Sequence, residues 1–157
     1  MIVVADTSPL NYLIQIQRIS LLENLYEHVY LPQAVAEEMK HDRAPLAVRQ
    51  WVTDLPSWVT VVRPASTMDP RLLDLDSGER EAIVLVSELN AELLLVDDQP
   101  ARIEAQRRGI RILGTLGILR DAANKGHLDF EESLSELLRL GFRVTADVLA
   151  QTRAGLI

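Results

Sequence analysis

The stretch MIVVADTSPL, residues 1–10, decides the fold. Its apolar run, Ile2, Val3, Val4 and Ala5, has nothing polar to turn toward solvent, which predicts a strand covered on both faces of a sheet. The run stops at Asp6, Thr7, Ser8 and Pro9, so a carboxylate stands at the carboxyl edge of a central strand. Ligand sites of open α/β sheets collect at that edge, because loops converge there and helix N-termini point into the same crevice. Ser8 as N-cap and Pro9 in the first turn predict a helix through LNYLIQIQ.

Outward from this stretch the same alternation repeats. Ser20 with Glu23 spells a capping box before a short helix, Leu21 to Tyr26. His28 to Leu31 reads as a second strand, and Pro32 opens a helix from Gln33 to Lys40. AVRQWVTDL, after Pro45, is helical in pattern, and WVTVVR, Trp58 to Arg63, is a β-branched third strand closed by Pro64. Ala65 to Asp76 reads as a looser, mobile connection. A long helix, Glu79 to Asn90, precedes a fourth strand, Glu92 to Val96, which ends in Asp97 and Asp98. Pro100 to Arg108 is a helix closed by Gly109, Ile110 to Leu113 a fifth strand, and Gly114 to Lys125 a helix followed by Gly126. Two more helices, Phe130 to Leu140 and Thr145 to Ala154, complete the chain. Strands alternating with helices at crossover spacings predict a three-layer α/β/α sandwich around a mostly parallel five-stranded sheet. We expect one domain over residues 1–157, with 127–157 a C-terminal helical extension.

Bulk composition narrows the function. With 48% hydrophobic and 25% charged residues, the 157-residue chain suits a globular domain. No run approaches the roughly 20 apolar residues that span a bilayer, so no membrane partner is expected. No secretory signal is legible, since Asp6 interrupts the N-terminal apolar run. The absence of cysteine excludes thiolate zinc sites and thiol catalysis, and fits a cytoplasmic protein. A net charge of −7 argues against a general basic surface for nucleic acid, but leaves room for a local basic groove or for carboxylates gathered around a divalent cation.

Helical phase, about 100° per residue, separates the acidic residues. Val35 and Met39 define the inner face of the Pro32 helix, placing Glu38 on its flank and Glu37 on the far side. Glu79 shares the stripe of Ala82, Ile83 and Val86, whereas Glu81 and Glu88 fall on the polar side. Taken singly, each candidate has an ordinary explanation: Asp6 as a turn residue, Glu38 as surface, Glu79 completing a capping box with Asp76, and Asp97 or Asp98 as caps before Pro100. Together, Asp6, Glu38, Glu79 and the Asp97–Asp98 pair can converge on one sheet edge. Uncompensated carboxylates a few ångströms apart repel by roughly 4 kcal/mol per pair at an effective dielectric near 20, so such a set calls for protons or cations. Oxygen ligands without His or Cys point to Mg²⁺ or Mn²⁺.

This order of acidic residues resembles the PIN-domain nucleases, as do the local phrases VADTSPL, LPQAVAEEM, DSGEREAI, and LLLVDDQPAR followed by RRGIRILGTLGIL. The similarity covers Met1 to Gly126 and is nearest to the VapC-like prokaryotic branch. The resemblance implies a metal-dependent endoribonuclease hydrolysing RNA phosphodiester bonds, often the toxin of a toxin–antitoxin pair, with an antitoxin protein and a homodimeric partner. It places Asp6, Glu38 and Glu79 at the first three acidic positions, as both catalytic residues and metal ligands. Asp98 best matches the fourth, with Asp97 its rival. The family often has Thr, any residue, then Asp at this strand end, where this chain has Val96, Asp97 and Asp98, so the usual Thr is missing. Thr7 or Ser8 would position ligands or water, and Arg102, Arg107, Arg108 and Arg111 would either reach RNA phosphates or, as each taken singly favours, form a solvated helix face with ordinary ion pairs. His28, His41 and His127 lack metal-ligand spacing, and Trp51 and Trp58 read as core. Leu134, Leu137, Leu138, Val148 and Leu149 mark the C-terminal helices as packed on the domain, or as an interaction surface.

The alternative is a non-catalytic interaction module with a partial metal site. An aspartyl-phosphate mechanism fits poorly, because Ser8 stands where haloacid-dehalogenase-like phosphatases carry a second Asp. A receiver domain fits no better, since Leu113 and Gly114 replace its Lys at the end of strand five.

Overall fold

Strand β1 (Val3–Ala5) runs through the middle of the protein because both its faces are apolar: Val3 and Ala5 pack into one core and Val4 into another. The computed structural model describes residues 1–65 and 70–157. From β1 the chain lays down β2 (Val29–Pro32) and, outside it, β3 (Val59–Val62). It then crosses to the other flank of β1 with β4 (Leu93–Leu95) and β5 (Ile112–Leu113). The order is β3-β2-β1-β4-β5, and every pairing is parallel, with Val3 opposite both Val29 and Leu93. The direction of winding reverses between β1 and β4, where the crevice at the carboxyl edge opens.

Helices cover both faces, as the apolar strands require. One layer holds α1 (Thr7–Gln15), α2 (Leu21–Tyr26), α3 (Gln33–Lys40), α4 (Leu46–Thr53), α7 (Thr115–Asn124) and α8 (Phe130–Arg139). The other holds α5 (Ser77–Leu89) and α6 (Gln99–Arg107), with Ala82, Ile83, Val86, Ala101 and Ala105 facing Val4 and Leu94. Helix α3 also touches the start of α5, where a Cβ on Gly78 would lie 3.3 Å from Val35 Cγ2. Helix α9 (Ala146–Ala154) packs on α7 and is tied to α8 by a forked Arg153–Glu131 pair at 2.8 and 2.9 Å. No helix among the described residues is long and apolar enough to cross a membrane.

Several local expectations differ from the structure. Helix α1 begins at Thr7 with Asp6 at the cap position, so Ser8 lies inside the first turn and caps nothing. Ser20 is already helical (φ −64°, ψ −14°) and cannot aim its hydroxyl at the first turn as an extended N-cap does, so the box with Glu23 does not form. Glu81 does not face solvent: it accepts a hydrogen bond from Ala34 N at 3.0 Å, satisfying a free N–H in the first turn of α3. Within the expected mobile connection, residues 66–69 lie outside the described ones. Pro70–Leu72 form a 3₁₀ turn, and Leu72 and Leu75 anchor it in the second core, so this part is not loose. In the C-terminal extension Leu134 and Leu137 are core, whereas Leu138 and Val148 are each 47% exposed. Trp58 belongs to the first core, as expected, and the partly buried Trp51 packs against it.

Candidate functional site

The reversal sets the ends of β1 and β4 side by side, and Asp6 N donates to Leu95 O at 2.9 Å. Asp6 is only 2% exposed. Burial pushes its carboxyl up to about 7, against the pull of the Thr7 backbone N–H, and the nearby charges of Asp76, Asp98 and Glu38 push the same way. Glu38 reaches the same place from α3. It is exposed, and its Oε2 accepts a 2.8 Å hydrogen bond from Thr7 Oγ1, so the first residue of α1 orients it. A Cβ on Gly78 would meet Glu38 Oε2 at 3.4 Å and Asp6 Oδ1 at 3.5 Å, which shows both carboxylates turned to the first turn of α5.

Glu79 is the next residue of that turn. It is 8% exposed, and burial raises its carboxyl to about 8, with contributions from a hydrogen bond and charge from Asp76 and from the charges of Asp6 and Asp98. Its Oε2 is buried and has no hydrogen-bond partner among the described residues. The crevice also takes in Asp76, which the sequence suggests only as the capping partner of Glu79. Asp76 does cap α5, accepting from Glu79 N at 2.8 Å, yet its charge also bears on Asp6, Glu79 and Asp98. The signal was present in DSGE: a cap three residues before a buried Glu in the first turn shares that Glu's crevice.

The two aspartates after β4 point different ways. Asp98 is exposed, has no capping bond of its own, and is raised by burial and by Asp76. Asp97 turns toward α7, accepting from Thr115 N at 2.8 Å and Thr115 Oγ1 at 2.6 Å. Burial raises its carboxyl, while those bonds and the Arg102 guanidinium pull it down. Gly114 is required beneath it, because a Cβ there would come within 2.8 Å of Asp97 Oδ1 and 2.9 Å of Arg102 Nη1. The structure therefore brings Asp6, Glu38, Glu79, Asp98 and Asp76 to one crevice and sets Asp97 aside as a brace for α7.

The basic cluster separates as well. Arg102 stays at the site end of α6, donating to Val96 O at 2.8 Å. Arg107 and Arg108 pair with Glu104 at the opposite end of that helix, and Arg111 precedes β5, away from the carboxyl edge.

As arranged, no three Asp, Glu or His side chains among the described residues are close enough to hold a metal ion. Carboxylates without a counter-ion repel, and a raised proton affinity at Asp6, Glu79 and Asp98 is the same repulsion and burial read electrostatically. The chemistry of the set fits a hard divalent cation: all oxygen, acidic, with one buried carboxylate oxygen lacking a partner among the described residues.

A family profile described as a PIN domain matches residues 2–155. The solved structure of a PilT N-terminus domain protein from the hyperthermophilic archaeon Sulfolobus solfataricus P2 is similar, with a TM-score of 0.53 at 18% identity, covering 88% of this chain and 94% of that one. At such identity the likeness speaks for the fold. No curated protein matches the chain.

Proposed function

The chain belongs to the PIN-domain family, and on that footing we propose that it is a Mg²⁺- or Mn²⁺-dependent endoribonuclease with Asp6, Glu38, Glu79 and Asp98 as its metal-binding carboxylates. One observation carries the reading: two buried carboxyls, Asp6 and Glu79, are held in a shared crevice at charge-unfavourable positions, and Glu79 Oε2 has no partner among the described residues. A bound divalent cation supplies an activated water and neutralises charge at phosphorus. The protein's part is to place ligands: Thr7 fixes Glu38, Asp76 fixes the first turn that carries Glu79, and Asp97 tethers the first turn of α7. The VapC-like resemblance extends the proposal to a toxin restrained by an antitoxin.

The test pairs binding with catalysis. Mn²⁺ is expected to raise the melting temperature of the wild type but not of Asp6→Asn, and metal-dependent cleavage of structured RNA is expected to be suppressed by Glu79→Gln. Equal stabilisation of both proteins by Mn²⁺ removes Asp6 from the site, and full activity in Glu79→Gln removes Glu79. The spacing of the carboxylates, too wide as arranged to grip an ion, favours a second reading as a non-catalytic PIN-fold interaction module. A wild-type melting temperature unmoved by Mn²⁺, together with no RNA cleavage in any metal, would favour that reading instead.

A further inference from the structure

A groove of about 670 Å³ starts where the acidic crevice opens, at Ser8 and Asp98, and runs between α1, the first turns of α7 and residues 141–152. Arg102, Arg120 and Arg143 line it, a concentration of cations in a chain of net charge −7. Two are held in place. Arg102 is anchored on Val96 O, and Arg120 pairs with Asp121 at 2.9 Å, its stem so close to the C-terminal turn that a Cβ on Gly155 would lie 2.8 Å from its Cδ. Arg143 is exposed and makes no ion pair among the described residues. Tyr12 and Phe142 meet edge to face in the wall, with ring centroids 5.0 Å apart. The floor is cut low at Gly117, where a Cβ would overlap the Leu113 side chain.

We propose that this groove carries a single strand of nucleic acid to the acidic crevice, with Arg120 and Arg143 on backbone phosphates and the Tyr12–Phe142 pair against a base. The proposal rests on the nuclease reading and adds the strand's path to it. Cations beside an aromatic pair in one groove suit a single strand, whose phosphates take the cations and whose base faces are free to stack. An acidic peptide offers the charge without the stacking faces. A duplex has its bases covered and offers the aromatic pair no free base face.

The experiment measures binding apart from cleavage. In an Asp6→Asn background with Mg²⁺, fluorescence anisotropy of a labelled single-stranded RNA oligonucleotide is compared for Arg143→Glu, Arg143→Ala and Arg107→Glu. Arg107 is the distant control, since it is 74% exposed, pairs only loosely with Glu104 at 3.7 Å and lies at the far end of α6. Arg143→Glu is expected to weaken Kd about tenfold or more and Arg107→Glu by less than about twofold, while Arg143→Ala lowers the salt slope by about one. The duplex form of the same oligonucleotide should bind about tenfold more weakly than the single strand. Equal losses from the two glutamate variants, equal binding of duplex, or displacement of the RNA by poly-glutamate at matched concentration would overturn the strand path. Failure of the path alone would appear as Arg143→Glu, with Asp6 intact, cleaving RNA at wild-type KM. Failure of the nuclease reading alone would appear as Arg143-dependent binding by a protein that cleaves nothing in any metal.

Discussion

Asp6 is held where its charge is unwelcome, and this has a measurable sign. Its carboxyl is raised to about 7 in the folded protein, chiefly by burial, so the folded chain binds a proton that the unfolded chain releases at its ordinary acidic pKa. The stability contribution is therefore full below the unfolded pKa and is lost as pH rises through about 7. With EDTA present, the melting temperature should fall between pH 5 and 8, and Asp6→Asn should flatten that fall. A wild-type curve as flat as the variant's would show that burial does not act on Asp6 as described. A second residue-scale prediction separates the paired aspartates. Asp97→Ala leaves Thr115 N and Oγ1 without their acceptor and should cost about 1–3 kcal/mol in denaturant unfolding. Asp98→Asn, at an exposed position, should leave metal-free stability nearly unchanged and reduce the Mn²⁺ shift. Their difference was not legible in the sequence. Both follow the same apolar strand, and which side chain faces the crevice depends on where β4 ends relative to its neighbours.

At the scale of elements, periodicity read well and caps read poorly. The apolar stripes of α3 and α5 turn Glu38 toward the start of α5 and Glu79 to the buried side, as their phase predicts, because phase is a local property of the helix. Capping by Ser8 and Ser20 failed, because a cap depends on backbone geometry before the helix, which tertiary packing sets. Glu81 shows the same limit in reverse: its use is the N-terminus of another helix, 47 residues away in the chain. Glu81→Ala should therefore cost about 1 kcal/mol, lowering the melting temperature by about 2–4 °C. Because α3 carries Glu38, it should also weaken Mn²⁺ binding, whereas Glu37→Ala on the same helix should do neither. Gly117→Ala gives an opposite test of local against tertiary preference. Alanine favours a helix interior over glycine, yet its methyl would overlap Leu113, so the variant should be destabilised by about 1–3 kcal/mol despite the better propensity.

For the whole molecule, the parallel α/β architecture was legible from alternating strands and helices, but the order of the strands was not. That β4 pairs with β1 rather than extending the sheet beyond β3 is a choice between distant partners, made by which apolar faces cover one another. The choice matters because it divides the proposed ligands between two stretches of chain. Asp6 and Glu38 come from β1 to α3, and Glu79 and Asp98 from α5 to the start of α6. An ion bound by all four would join the two halves across the switch point, where the carboxylates otherwise push them apart. At a free metal concentration of 100 times Kd the folded state gains about 2.7 kcal/mol by mass action, or about 5–10 °C in melting temperature for a domain of this size. The location of the gain is the sharper test. Hydrogen exchange should slow on adding Mn²⁺ in the first turns of α1, α5 and α6 and around Glu38, while α8 and α9, which contribute no proposed ligand, change little in their local openings. Uniform slowing across the C-terminal helices, with no excess at the crevice, would mean that the ion binds elsewhere or that the halves are already locked without it.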